Sequence, residues 1–313
     1  MSVAIASPAL GAGSLRQSPV TPLYAGLGAH ESTPLSNPMG IFFDRVKQEC
    51  YVADTGNGQV VIFNSSGMPT YRFLHMVPGR NDQPIPGEPR SIAVDAKGTI
   101  YLVDSRVTYI DVLDTRGRSI THIDVPDDNC GQPERFIHVA VGGDQTVYAI
   151  SACAQPRVFR IDEAGAVTGA VVLQTPDDER ACVNGFAVDK DGNIYITNGC
   201  ANLMAQFYSP TGELVRAFGK HDTGFENFAV PAGLAVMNNG DTWIVDTIRQ
   251  VVGRFDHEGN LLSMIGGKGS QPGAFEYPSA VATDGESLLF VLERQGNRYQ
   301  CLRINAEDGT GTN

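Results

Sequence analysis

Long apolar runs are missing from this sequence. No segment approaches the roughly 18 consecutive apolar residues that a membrane-spanning helix requires, so we expect no membrane span in it. Sustained 3.6-residue periodicity is missing as well, which predicts that helices are scarce. Basic residues are also few, with 23 lysines and arginines against 35 aspartates and glutamates and a net charge of −12. Because an acidic surface repels phosphate groups, we expect neither nucleic acid nor an anionic membrane surface as a partner.

Motifs that mark common catalytic and metal sites are absent too. The histidines form neither H-E-x-x-H nor any close pair, and the chain contains no G-x-S-x-G elbow. The segment Asp189-Lys-Asp-Gly-Asn193 resembles the start of a calcium loop, but it lacks the terminal glutamate and falls on a tight turn. We therefore predict no bound metal and no other cofactor. Catalytic triads assemble from residues far apart in sequence, so an enzyme is not excluded.

Six cysteines occur, and none forms the C-x-x-C motif of thioredoxin-like redox proteins. An even number permits disulfides, which persist in oxidising compartments. The N-terminal residues lack the basic start and the full apolar segment of a signal peptide. We therefore expect an extracytoplasmic protein, periplasmic or secreted, whose chain here begins after a processing site.

Six segments share one pattern, in which an aromatic residue opens a short apolar run and a polar residue closes it. They are Tyr51–Asp54, Tyr101–Asp104, Tyr148–Ser151, Tyr195–Asn198, Trp243–Asp246 and Phe290–Glu293, with the aromatics 47 to 50 residues apart. Glycine-containing turns separate further short apolar runs within each repeat. Four short strands in a repeat of this length are typical of a propeller blade. The sequence therefore predicts an all-β, six-bladed β-propeller with four antiparallel strands per blade over residues 20–313, preceded by an N-terminal extension over residues 1–19.

The last repeat lacks a fourth strand. After Phe290–Glu293 the sequence contains one further strand near residues 300–304 and a turn. Residues Val20 to Gly26 read like a fourth strand and precede the first complete blade. We predict that they complete blade six and close the ring, because closure removes exposed sheet edges that would pair with other chains.

The repeats resemble those of the NHL family. The matching residues are Pro38-Met-Gly-Ile41, Tyr51-Val-Ala-Asp-Thr-Gly-Asn57 and Val60-Val-Ile-Phe63 in blade one, and Pro231-Ala-Gly-Leu-Ala-Val236 and Trp243-Ile-Val-Asp-Thr247 in blade five. The resemblance implies a propeller from about residue 20 onward. It also implies that the aspartate closing each second strand binds backbone amides rather than a metal. The family includes interaction domains, RNA binders and a few enzymes, so no single function is implied.

Alignment of the repeats predicts which residues surround the propeller axis at the starts of the innermost strands. They are Met39, Arg90, Ile137, Asn184, Ala232 and Ser279. The resemblance implies that amidating lyases of this fold bind a metal there through histidines, and that six-bladed lactonases bind calcium there through Glu, Asn and Asp. None of the six is histidine, although His138 lies one residue away, and only Asn184 suits calcium. Because zinc requires at least three suitable ligands, we expect no axial metal.

The face that carries the inter-blade loops is the candidate binding surface. The predicted contacts are Arg90, Asn184 and Ser279 at the axis and Arg106, Arg249 and Arg294 in loops after second strands. Arginines suit carboxylates, phosphates and protein hot spots. We therefore predict a non-enzymatic binding or scaffold propeller that recognises a protein or an acidic small ligand on this face. The alternative is a metal-dependent propeller enzyme, amidating-lyase-like or lactonase-like, with an axial site.

The positions of four cysteines predict two disulfides. Cys182 lies just before the first strand of blade four and Cys200 just after its second, and Cys130 and Cys153 hold nearly the same relation in blade three. Because first and second strands are antiparallel, these ends meet at one face of the sheet. We predict the pairs Cys130–Cys153 and Cys182–Cys200, with four free thiols as the alternative. The pairing of Cys50 with Cys301 stays open.

Overall fold

Six four-stranded antiparallel sheets succeed one another along the chain in a computed structural model of the protein. The structure describes residues 20–30, 33–125, 135–143, 145–151, 155–175, 181–222, 224 and 226–305. Each sheet is one blade, with its first strand next to the propeller axis, so the predicted all-β, six-bladed fold is confirmed. Among the described residues, no helix has the length and apolar character needed to cross a membrane.

The strands of each blade follow in chain order from the axis to the rim, except that the outermost strand of blade six comes from the start of the chain. Blades one to three contain Gly40–Asp44, Glu49–Asp54, Gln59–Phe63 and Pro69–Leu74; Pro89–Val94, Ile100–Asp104, Ile110–Leu113 and Ser119–Ile123; and Phe136–Val141, Val147–Ser151, Arg157–Ile161 and Val167–Val172. Blades four to six contain Val183–Val188, Ile194–Asn198, Ala205–Tyr208 and Leu214–Phe218; Pro231–Val236, Thr242–Asp246, Val251–Phe255 and Leu261–Gly266; and Pro278–Thr283, Leu288–Glu293, Arg298–Ile304 and Val20–Gly26.

Outside the blades, the described secondary structure includes two short hairpins and two single-turn 3-10 helices. The hairpins pair Gly28–His30 with Thr33–Pro34 and Met76–Pro78 with Pro84–Pro86, and the helices are Thr55–Asn57 and Arg80–Asp82. Val20–Gly26 pairs antiparallel with Arg298–Ile304, so the predicted ring closure is confirmed. The predicted extension over residues 1–19 lies outside the described residues.

The second strand of each blade lies in the interior of the propeller. Almost all of its residues are inaccessible to solvent, because neighbouring blades cover both faces of the sheet. A strand buried on both faces needs an almost continuous apolar run, and this explains the segments that reveal the repeat. Trp243 and Phe290, two of their leading aromatics, are fully buried.

Polar residues at the ends of second strands bind the backbone of neighbouring segments. Asp54 accepts a hydrogen bond from the amide of Ser36 at 2.7 Å, and Asp246 accepts one from Ala229 at the same distance. The hydroxyl of Thr55 donates to the carbonyl of Pro89 in blade two at 2.6 Å. The aspartates bind backbone amides, as the resemblance implied, and hold the segment that leads into each of these two blades, whereas the Thr55 bond joins blade one to blade two.

The cysteines follow the prediction where the structure describes them. Cys182 and Cys200 form a disulfide with their Cα atoms 5.3 Å apart. The predicted pair Cys130–Cys153 lies outside the described residues. Cys50 and Cys301 are free thiols in the core between blades one and six. Burial raises the pKa of both thiols, so neither is a reactive thiolate at neutral pH.

Candidate functional site

A cavity of about 540 Å³ lies on the propeller axis, bounded by the innermost strands of all six blades. This size is within the range of small-molecule sites. We term the end where the innermost strands begin the axial mouth. The residues that surround it are Met39, Arg90, His138, Asn184, Gly233 and Ser279.

Four of the six predicted axial positions, in blades one, two, four and six, bound the cavity in the structure. In blade three His138 takes the position expected for Ile137, which instead packs in the hydrophobic core. In blade five Gly233 replaces Ala232 in the same way. His138 lies one residue further along its strand than the predicted position, and strand pairing makes it equivalent to Ser91 and Gly185, which also bound the cavity. The nearness of His138 to the predicted position was the one signal available in the sequence.

Arg90 brings an uncompensated positive charge to the axial mouth. Its side chain is half-buried, and its Nε atom is buried without a hydrogen-bond partner. Burial, and then the charge of Arg135, lower the pKa of Arg90. No carboxylate among the described residues forms an ion pair with it. A buried charge without a partner is unfavourable, so this guanidinium is suited to take up an anion.

His138 lies beside Arg90 as a neutral imidazole. Burial and the nearby Arg90 charge lower its pKa to about 3, and a hydrogen bond with the backbone of Val183 acts in the opposite direction. Since a bond that favours the protonated ring is one that the ring donates, we assign its proton to Nδ1. The Nε2 atom then carries a lone pair, and it is buried with no partner. The axial mouth thus presents two buried groups without hydrogen-bond partners: the Nε–H donor of Arg90 and the Nε2 acceptor of His138.

The backbones of adjacent blades hold two further polar side chains at the axial mouth. The amide group of Asn184 donates from Nδ2 to the carbonyl of Pro231 at 2.9 Å, which leaves its oxygen available. The hydroxyl of Ser279 lies 3.5 Å from the carbonyl of Pro38. Both residues therefore have defined positions from which to contact a bound molecule.

The three arginines predicted for the surrounding loops make contacts within those loops. Arg106 pairs with Glu88 at 2.8 Å. Arg249 donates to three backbone carbonyls of the loop before blade five, each at 2.8 Å. Arg294 donates to Asn37 at 2.9 Å. None of the three is among the described residues that bound the cavity, so Arg90 is the arginine placed to meet an axial ligand.

A divalent metal at the axial mouth would require several anionic or imidazole ligands. The described residues contain no cluster of three or more His, Cys, Asp or Glu side chains that could hold one. The single imidazole there, that of His138, lies next to a guanidinium, whose charge repels a cation. Catalytic zinc sites use three protein ligands. The residues of the axial mouth therefore do not fit a divalent metal, whereas they fit an anion.

Comparison with known proteins agrees with the fold and associates it with several enzymes. No family model matches the sequence, the NHL model included. The probable peptidyl-alpha-hydroxyglycine alpha-amidating lyase pgal-1 of Caenorhabditis elegans is 24% identical over 136 residues, which cover 41% of this chain and 39% of that protein. The matched stretch thus spans about two fifths of the relative.

Solved structures with the same architecture cover most of the chain. A catalytically inactive virginiamycin B lyase from Staphylococcus aureus has a TM-score of 0.58 and 14% identity, covering 86% of this chain and 80% of its own. Regucalcin from Agrobacterium tumefaciens has a TM-score of 0.61 at 14% identity, with 88% and 92% covered. A gluconolactonase from Xanthomonas campestris has a TM-score of 0.60 at 14% identity, with 91% and 89% covered. At these identities the similarity shows the fold alone: a six-bladed β-propeller.

Proposed function

We propose that the protein binds a small carboxylate-bearing molecule at the axial mouth, with Arg90 as the anchor. The observation that carries the proposal is the half-buried guanidinium at the end of the 540 Å³ cavity, which has no counter-ion among the residues that the structure describes. Arginine binds carboxylates through strong charge-assisted hydrogen bonds, and a site shielded from water strengthens them. A concave site of this volume favours a small molecule over a protein partner, the other ligand expected from the sequence.

The neighbouring imidazole narrows the ligand class. The Nε2 atom of His138 is an acceptor, so the complementary ligand carries an O–H or N–H donor next to its carboxylate. The free oxygen of Asn184 accepts a second donor from the same ligand. A 2-hydroxy or 2-amido carboxylate satisfies these groups together.

Lyase activity on such a ligand is the second candidate, and the comparisons favour it over a purely non-enzymatic scaffold. Peptidyl-α-hydroxyglycine, named in the relative's description, carries a carboxylate and a hydroxyl on one carbon. Its cleavage moves the hydroxyl proton to a base and, as the C–N bond breaks, from the base to the leaving nitrogen, giving an amide and glyoxylate. His138 Nε2 is the base available beside Arg90. A bound carboxylate offsets the Arg90 charge and raises the basicity of the ring.

One pair of probes tests both candidates. Hippurate and α-hydroxyhippurate differ by the hydroxyl group alone, and both carry the carboxylate that Arg90 is proposed to bind. We expect Arg90→Ala to weaken calorimetric binding of both by about 10- to 150-fold, the loss typical of hydrogen bonds to charged groups. Arg90→Lys should keep part of the affinity because lysine keeps the positive charge. The rest of the affinity should be lost because lysine lacks the planar guanidinium that binds both carboxylate oxygens. Arg116→Ala, in an exposed turn of blade two, is the control and should bind as the wild type does.

The outcomes separate the candidates. Release of glyoxylate from α-hydroxyhippurate by the wild type, and its loss in His138→Gln, would support the lyase. Binding without turnover would support a ligand-binding protein. Equal affinities for the wild type and Arg90→Ala, or no binding of either probe, would contradict the proposed site.

We further propose an extracytoplasmic location, periplasmic or secreted. The Cys182–Cys200 disulfide supports it, because such bonds are rare in reducing compartments. Fractionation of cells of the natural host tests the location, and recovery in the cytosolic fraction would contradict it.

A further inference from the structure

The Cys182–Cys200 disulfide lies at the axial mouth rather than at the rim. Cys182 directly precedes the innermost strand of blade four, and Asn184 is two residues further along the chain. Cys200 follows the second strand of the same blade and is exposed, so a reductant in solution reaches it. The cross-link therefore joins the two loops that border the ligand site on this blade.

The segment around the disulfide is tightly interconnected. The side-chain oxygen of Asn198 accepts hydrogen bonds from the amides of Cys182, at 2.9 Å, and Cys200, at 3.2 Å. The amide of Gly199 donates to the carbonyl of Cys182 at 2.9 Å. A Cβ atom on Gly199 would lie only 2.6 Å from Nδ2 of Asn184, so the cross-linked loop and this ligand-site residue are in close contact.

The strand start that the disulfide anchors is bound to both neighbouring blades. The backbone of Val183, adjacent to Cys182, is the hydrogen-bond partner of His138 in blade three. Asn184 donates to Pro231 in blade five. Movement of Cys182 would therefore displace the partner that keeps the His138 proton on Nδ1, together with the side chain of Asn184.

We propose that the thiol–disulfide state of Cys182–Cys200 controls ligand affinity at the axial mouth; this inference rests on the proposed carboxylate site. A dithiol reductant supplies two electrons and two protons, the S–S bond breaks to give two thiols, and the reductant becomes a disulfide. Residues 182–184 are then held by hydrogen bonds and by the core packing of Val183, without a covalent link, and His138 loses its fixed partner. We expect the reduced protein to bind hippurate about 10-fold more weakly, within the usual range of coupling between sites.

Substitution of the disulfide and a matched control separate ligand-site control from general stabilisation. Cys182→Ser/Cys200→Ser should lower both the melting temperature and the affinity for hippurate. Ile265→Ala removes buried side-chain volume in the outermost strand of blade five, away from the axis. It should lower the melting temperature without changing the hippurate Kd. If the double variant lost stability but bound hippurate as tightly as the wild type, the disulfide would be structural only and the proposal wrong.

Titration of the wild type in a dithiol redox buffer avoids any folding defect of the variants. Alkylation and peptide mass mapping give the reduced fraction of Cys182 and Cys200, and the hippurate Kd should follow that fraction reversibly. NMR of the His138 ring gives a readout that needs no ligand. We expect one fixed tautomer with the proton on Nδ1 in the oxidised protein and exchange between tautomers in the reduced protein.

The two proposals fail in different ways. A His138 ring that does not respond to reduction overturns the redox control, whatever the protein binds. Failure of the oxidised protein to bind hippurate or α-hydroxyhippurate overturns the carboxylate site, and the redox control of affinity with it. Equal binding by oxidised and reduced protein leaves the carboxylate site standing and overturns the redox control alone.

Discussion

Arg90 and His138 are held at the axial mouth in states that are unfavourable without a ligand. Each has a buried nitrogen with no hydrogen-bond partner, and leaving such a group unpaired costs about 1–3 kcal/mol. Strongly perturbed groups of this kind cluster at functional sites. The sequence placed Arg90, Asn184 and Ser279 at the axis, but it did not predict that the Arg90 guanidinium is partly buried with an unpaired Nε atom.

The low pKa of His138 predicts an acid-sensitive contribution to stability. Its folded-state pKa, about 3, lies below the ordinary value of 6.5. Between these two pH values the ring is protonated in the unfolded chain and neutral in the folded protein. The free energy of unfolding should therefore fall as the pH decreases from 6.5 toward 3. His138→Gln should remove this component. Urea unfolding at about pH 7 and about pH 5 measures it, and an unchanged pH dependence in the variant would contradict the assignment.

At the scale of elements, the strand Val20–Gly26 determines whether the ring closes. It pairs antiparallel with Arg298–Ile304, the third strand of blade six, with one register shift between Pro22 and Tyr24. The prediction of this strand followed from the missing fourth strand of the last repeat. The close contacts of this strand could not be predicted from the sequence, because they depend on side chains of blades one and six. Gly26 opposes Tyr299, whose ring is fully buried between those blades.

A single methyl group tests the fit of the closing strand. A Cβ atom on Gly26 would overlap the ring of Tyr299, so Gly26→Ala should destabilise the protein by about 1–3 kcal/mol through overpacking. Gly169, in the outermost strand of blade three, has open space at the same position and provides the control. Gly169→Ala should change stability by less than about 1 kcal/mol. Thermal or urea unfolding of both variants makes the comparison, and equal losses would argue against close packing at the seam.

At the scale of the whole molecule, buried charge contributes to the junction of blades one and two. His75 lies between two carboxylates of blade two, with Nδ1 2.9 Å from Asp104 and Nε2 3.2 Å from Asp111. Burial lowers the pKa of His75, but hydrogen bonds and charge from both aspartates outweigh this effect and raise it to about 9. The ring is thus an imidazolium ion at neutral pH and joins the end of blade one to its neighbour.

This ion pair predicts a loss of stability in alkali. Its contribution is fully present below the ordinary histidine pKa of 6.5 and is lost as the pH rises through about 9. His75→Gln leaves two buried carboxylates without a cation and should cost about 3–5 kcal/mol at neutral pH. Adding Asp111→Asn removes one of those charges and should recover part of the loss. Unfolding curves between neutral pH and about pH 9 test this, and a variant that keeps the wild-type alkaline slope would contradict it.

The sequence by itself determined the blade count, the four strands per blade, the closing strand and the disulfide of blade four. The blades and the disulfide follow from local patterns, since apolar runs, turn glycines and antiparallel neighbours are properties of residues close along the chain. The closing strand follows from the missing fourth strand of the last repeat. Only the tertiary structure decided that His138 rather than Ile137 bounds the axial cavity, because the packing of Ile137 in the core depends on side chains of other strands. It also decided the charge states. Within the described part of the chain Arg90 has no counter-ion, whereas His75 has two, at positions 29 and 36 residues away. Burial and charge depend on side chains that other strands and blades supply.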